Sequence, residues 1–273
     1  ARRVARHRGA VAGFAVVVLL LLVAALAPFL APFDPGAQAL DSGLSGSSRS
    51  HWLGQDRLGR DLLSRLIHGA RVSVAVGLGT VSLSLAIGLL VGSAAGLFAG
   101  KVDHLFMRLA DILLAFPGIL LAIAITSVLG PSLRNVLIAL SALGWVGYAR
   151  LIRGQILKIR EMEFVQSARA VGTPPARLLR VHILPNAISP VIVEATFGIA
   201  RAIVAEAGLS FLGLGVAPPT PSWGAMINEG RHFLFVAPHL TTVPGLAIMI
   251  TVMAFNFLGD GLRDAMDVRE GAP

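Results

Sequence analysis

The sequence predicts an all-α polytopic membrane protein with six transmembrane helices and both termini on the cytoplasmic side. Three observations predict it. Hydrophobic residues fill 55% of the 273 positions, mean hydropathy is +0.77 and only 14% of residues are charged, a balance that belongs to membrane proteins. Six apolar runs recur between polar segments, as expected of helices crossing a hydrocarbon layer of about 30 Å. On the alternating topology these runs define, about two-thirds of the 23 basic residues fall in the inner segments, the excess expected of cytoplasmic loops.

Taken in order, residues 1–33 hold an Arg-rich start (Arg2, Arg3, Arg6, Arg8) and an uncharged run from Val11 to Phe33. The run exceeds the apolar core of about 7–15 residues in a cleaved signal, so it is read as a retained first helix. Residues 34–70 form a polar, Gly- and Ser-rich segment on the outer side. Within it Leu58, Leu62, Leu63, Leu66 and Ile67 fall at helical spacing, with Arg57, Asp61, Ser64 and Arg65 on other faces. That pattern predicts an amphipathic helix lying at the membrane surface. Residues 71–260 carry the other five spans.

The second span covers 72–99. Gly88, Gly92, Gly96 and Gly100 repeat every four residues and predict a smooth stripe for close helix packing. Residues 101–111 read as a short charged turn. A third span follows over 112–129, kinked at Phe116-Pro117-Gly118, and a fourth over 135–148 with a basic inner end at Arg150, Arg153, Lys158 and Arg160. The fifth span covers 185–211 and the sixth 238–258. Between them, Pro218, Pro219 and Pro221 exclude a long helix, so the segment is an outer loop. Residues 261–273 form a cytoplasmic tail.

The most informative polar stretch lies at 150–184. From Glu163 it reads as two short helices with a stop at Gly172, a residue tolerant of the left-handed conformation that ends helices. Thr173 is placed to cap the second helix and Pro174 suits its first turn. Ser167, Ala168 and Ala170 keep the first helix thin, so another protein can approach its backbone. Arg177 and Arg180 share a face of the second helix.

Gln166-Ser167-Ala168, Gly172 and His182-Ile183-Leu184-Pro185 resemble the coupling loop of ABC-importer permeases. That pattern is Glu-Ala-Ala, three residues, Gly, nine residues, then Ile-x-Leu-Pro; Gln166 and His182 depart from it. The stretch from His51 to Ser73, the segment 205–224 and the end from Asn256 to Asp264 are similar to the dipeptide/oligopeptide branch, in the partner usually encoded second. The resemblance implies a type I ABC importer permease fold and one permease subunit of an ATP-driven peptide importer in the bacterial cytoplasmic membrane. It implies as partners a second homologous permease, two P-loop ATPase subunits or domains that bind ATP and Mg, and an extracytoplasmic peptide-binding protein. It also implies that Glu163, Gln166, Ser167, Ala168, Arg169, Gly172, Thr173, Arg177, Leu184 and Pro185 couple to the ATPase.

Three ionisable residues fall within the fifth span: Glu194, Arg201 and Glu206. Charges at membrane depth are costly and face protein or water, so they are candidates for the translocation path. Glu194 and Arg201 are placed to pair on one helix face. No nucleotide loop, zinc helix or nucleophile elbow is present, and Gly100-Lys101 lacks the spacing and hydroxyl of a phosphate loop. With no cysteine and scattered histidines, no metal site, cofactor or catalytic residue is expected in the chain. The competing reading is an ion-coupled secondary transporter or channel using the three charges of the fifth span. A nucleic-acid-binding reading of 163–182 fails, because the unit is too small for a three-helix domain and is tethered by spans on both sides.

Overall fold

The computed structural model describes residues 8–98 and 100–267. Five helices are long and apolar enough to cross a membrane: α1 (Arg8–Leu30), α2 (Leu62–Phe98), α5 (Leu133–Ile159), α8 (Leu184–Phe211) and α10 (His239–Asp267). Between α2 and α5, α3 (Gly100–Leu114) and α4 (Gly118–Leu129) make a pair bent by 85° at its break. Taken as one crossing, that pair brings the spans to six. Two short helices, α6 (Glu163–Ala170) and α7 (Pro175–Arg177), join α5 to α8, and α9 (Trp223–Gly230) lies between α8 and α10. Among the described residues there is no named strand, only an isolated bridge between Gln55 and Asp61.

The bundle is built around α2 and α5. A Cβ placed on Gly88 would lie 2.5 Å from the Tyr148 Cβ, and one on Gly92 would lie 2.5 Å from the Ala149 carbonyl oxygen. Gly96 meets Ile156 in the same way, one turn further on. Three of the four glycines in the repeat therefore let two backbones touch, the close packing that replaces hydrophobic drive inside a bilayer. Gly100 does not extend the stripe: it starts α3 with a φ of +57° and open space where a Cβ would sit. α8 packs on α2 through Gly77, which faces Ile199 and Ile203, and on α10 through Gly259, which faces Thr196 and Phe197. α1 lies along α10, with Gly13 against the Ala254 carbonyl. The other side of α1 leaves Phe14, Leu19 and Phe29 exposed, as suits a lipid-facing helix.

Two expectations from the sequence need correction. Residues 101–111 are not a turn but most of α3. Their charges are used sideways: Asp103 binds Arg153 at 2.5 Å and Asp111 binds Arg150 at 2.5 Å, both on α5, while Ala110 is buried there with Trp145 and Ala149. The third crossing is accordingly broken at the predicted Phe116-Pro117-Gly118 site rather than merely kinked.

The second correction concerns the expected surface helix near 51–73. Residues 51–61 are turns, and the helix begins at Leu62 and runs without a break into the second span. The reason is a buried charge cluster. The Arg60 Nε donates to Asp56 Oδ2 at 2.6 Å and its Nη2 to Glu229 Oε2 at 2.5 Å, and the Arg65 Nη2 donates to the same oxygen at 3.0 Å. Asp61 accepts from the Ser64 backbone and hydroxyl and contacts His51 Nδ1 at 2.9 Å. Arg60, with Arg65 from the predicted polar face, thus ties the 51–61 segment to α9.

Candidate functional site

The end of the bundle where α5 gives way to α8 carries the stretch singled out in the sequence. α6 is short and nearly all exposed, but Val165 is buried in a core with Ile156, Ile159, Leu178 and Ile183. Gln166 donates from Nε2 to the Arg160 carbonyl at 2.9 Å, fastening α6 to the end of α5. The stop at Gly172 has a φ of +83°. The Gly172 N–H donates to the Arg169 carbonyl at 3.0 Å and the Thr173 N–H to the Ala168 carbonyl at 3.2 Å. That double bond pattern around a left-handed residue is a Schellman ending, which fixes the angle at which the chain leaves α6.

The second short helix starts differently from the expectation. Pro174, not Thr173, occupies the cap position of α7, and no side chain caps it. A proline there has no N–H to satisfy and already holds the extended backbone that precedes a helix, so a hydroxyl cap is unnecessary. α7 continues through a wide-turn segment, Leu178–Ile183, into Leu184 and Pro185 at the start of α8. The two short helices are therefore anchored from within by Val165, Leu178 and Ile183. They present Glu163, Ser167, Arg169, Gly172 and Arg177 outward, with Ala168 and Thr173 half-buried. Val171 beside the stop is 84% exposed, and Phe164 and Val181 are also exposed. The sequence reading missed these apolar knobs, because nothing in the sequence separates them from Val165, Leu178 and Ile183, which are buried. Exposed apolar side chains of this size are of the kind found where another protein or a membrane is met.

Of the three charges on the fifth span, two come together. Arg201 and Glu194 form a salt bridge along α8, with side chains 62% and 37% exposed in the isolated chain. Such exposure at membrane depth requires protein or water alongside, since lipid cannot solvate the pair. Two cavities flank it. One of about 550 Å³, at the α6 end, is lined by Glu194 together with Gln155, Ser189 and Phe197. One of about 430 Å³ is lined by Arg201 and by residues of α2, α4 and α5. Glu206, grouped with the pair in the sequence, is fully buried and lines neither cavity. Its Oε1 accepts from the Ser210 hydroxyl at 2.6 Å, one turn further along α8. Among the described residues no cluster of His, Cys, Asp and Glu is arranged to hold a metal.

The chain thus combines a bundle of membrane-crossing helices, a pair of exposed short helices at one end and an ion pair with a cavity on either side along one span. The family model described as "Binding-protein-dependent transport system inner membrane component" matches residues 88–270, and that described as "N-terminal TM domain of oligopeptide transport permease C" matches residues 1–45. The chain belongs to the first of these families: it is the permease subunit of a bacterial ABC importer, a multi-pass protein of the inner membrane. It is not an enzyme; permeases of this family work with ATPase and binding-protein partners, and the ATPase activity lies in the partner subunits.

The glutathione transport system permease protein GsiD of Pectobacterium atrosepticum is 44% identical over 97% of this chain and 89% of its own length. GsiD of Escherichia coli O6:K15:H31 is 46% identical over 97% of this chain and 88% of its own. Among solved structures, an inward-facing MetNI methionine ABC transporter aligns with a TM-score of 0.62 at 19% identity, over 75% of this chain and 97% of that one. An amino acid ABC transporter crystallised with histidines aligns with a TM-score of 0.60 at 14% identity. At such identities these structures support the fold. Membership of an ATP-driven family sets aside the ion-coupled carrier as the reading of this chain.

Proposed function

We propose that this subunit imports peptides, that a second related permease completes its pore, and that the α6–Gly172–α7 unit is where an ATPase docks. The single observation that carries the docking role is the geometry of that unit. Its inner face is locked into the bundle by Val165, Leu178 and Ile183, and its outer face is exposed, arginine-rimmed and studded with Val171 and Phe164. A part anchored on one side and open on the other transmits force as a lever. Glu163, Gln166, Ser167, Ala168, Arg169, Gly172, Thr173 and Arg177 form the lever, and Leu184-Pro185 joins it to α8. The relatives named for glutathione transport, a tripeptide, support peptide cargo.

In this reading two P-loop ATPases bind ATP and Mg on the cytoplasmic side, and their closure displaces the lever. A peptide-binding protein delivers cargo on the opposite side. The bundle then exchanges between inward- and outward-facing arrangements, each favoured by the partner that binds it better. Glu194 and Arg201, between the two cavities, lie on the cargo route. A mild-detergent pull-down of the tagged chain from its native membrane tests the assembly. Stoichiometric recovery of a second permease and of P-loop ATPases is expected; a chain that purifies alone contradicts it.

A further inference from the structure

The cavity of about 430 Å³ among α2, α4, α5 and α8 has a lining that packing alone does not explain. Its volume suits a small-molecule site, for which the usual range is about 300–1,000 Å³. Thr80, Ser84 and Tyr148 all line it, and all three are buried, at 6%, 1% and 5% exposure. None of their three hydroxyls has a hydrogen-bond partner among the described residues. Ser73 and Ser93 on α2 are unpaired too, away from this cavity, but three unpaired hydroxyls converging on a single cavity need a reason.

Two glycines make room for them. A Cβ on Gly144 would collide with the Ser84 Oγ, and one on Gly198 would collide with the Tyr148 hydroxyl. Both glycines also line the cavity. Arg201 lies one turn beyond Gly198 on α8 and adds a guanidinium to the same wall. Leu140, Leu143 and Ala205 supply an apolar remainder that fixes no side-chain identity. Three hydroxyl donors and a guanidinium in an otherwise apolar wall match a carboxylate next to a peptide carbonyl.

We propose that this cavity is a cargo site within the permease, in which Arg201 takes the terminal carboxylate of a short peptide. The hydroxyls of Thr80, Ser84 and Tyr148 donate to that carboxylate and to the neighbouring carbonyl. The carboxylate replaces Glu194 on the guanidinium, so no charge is left unpaired at membrane depth. Glu194, released toward the 550 Å³ cavity, is then free to meet the peptide's ammonium. Seven residues of helix separate the two charged residues by about 10.5 Å at 1.5 Å per residue. An extended tripeptide spans about 10 Å, so both termini reach. This proposal rests on the peptide reading above and adds the residues that recognise the peptide.

The test uses the complete transporter in proteoliposomes with its binding protein. Uptake of Ala-Ala-Ala is compared with uptake of its C-terminal amide. The binding protein is the same throughout, so any change in the acid-to-amide ratio of kcat/KM belongs to the permease. Arg201→Gln is expected to lower that ratio about tenfold, the loss of a hydrogen bond between charged groups, and Arg201→Lys to restore most of it. Tyr148→Phe and Ser84→Ala, which remove a hydroxyl and keep the fold's volume, are expected to raise KM for the acid several-fold with kcat retained. An unchanged ratio in Arg201→Gln with measurable uptake overturns the proposal. So does a wild-type KM in both hydroxyl variants, which decides the matter if Arg201→Gln does not assemble. A wild-type transporter that imports neither peptide overturns the peptide reading and this site together, whereas normal import with an insensitive ratio overturns the site alone.

Discussion

In the proposed reading, coupling turns on Gly172. Its φ of +83° is one that a β-branched residue adopts only under strain, at about 1–2 kcal/mol, and nothing packs where its Cβ would be. A substitution there leaves the bundle intact and changes only the exit angle from α6. Gly172→Val is therefore expected to assemble at wild-type yield and hydrolyse ATP while importing much less cargo per ATP; equal cargo per ATP would show that the stop has no coupling role. Glu229 is the opposite case, a structural carboxylate that holds Arg60 and Arg65 at once. Removing one partner of a largely buried pair costs on the order of 3 kcal/mol. Glu229→Ala should lower the apparent Tm in detergent and expose the 51–61 segment to protease, and an unchanged melting curve would argue that the cluster is not what pins that segment. The Glu229 cluster was not legible locally. Arg65 reads as part of the polar face of a helix, and Arg60 carries no signal at all, because their partner lies more than 160 residues away in sequence.

At the scale of elements, apolar runs made the crossings readable, and the glycine repeat correctly announced a close helix contact. The repeat did not name the partner, which is α5, because a smooth stripe on one helix carries no information about the helix it meets. The contact makes a specific prediction. Gly92 faces the Ala149 carbonyl oxygen and Cα rather than the end of a side chain. Gly92→Val should cost about 1–3 kcal/mol through overpacking, seen as a lower Tm, and Ala149→Gly should fail to rescue it. Rescue by that second substitution would mean the helices are spaced by side chains. The break at Phe116-Pro117-Gly118 was readable from its residues, since proline removes a backbone donor and glycine loosens the next turn. Its 85° size was not, nor was the helicity of α3, whose charges looked like a turn until Asp103 and Asp111 found arginines on α5. The Schellman stop at Gly172 was fully local, and so was visible; the exposed Val171 beside it was passed over because one valine in a polar loop carries no pattern.

For the whole molecule, the arrangement is the α6–Gly172–α7 unit at one end, the charge-tied segment 51–61 with α9 at the other, and two cavities along α8 between. One cavity is lined by Glu194 and the other by Arg201, and the pair was predictable from seven-residue spacing on one helix. That Glu206 stands apart was not, because its burial depends on the fold of the following loop. The central claim is that motion at the lever, powered by ATP in a partner, drives cargo through these cavities. The most direct measurement is cargo uptake by the purified complex in proteoliposomes, with ATP supplied on the ATPase side and the ion gradients collapsed by ionophores. The account predicts uptake that requires ATP, is indifferent to the ionophores and falls sharply in Gly172→Val. Uptake that persists without ATP and disappears when the gradients are collapsed would contradict it.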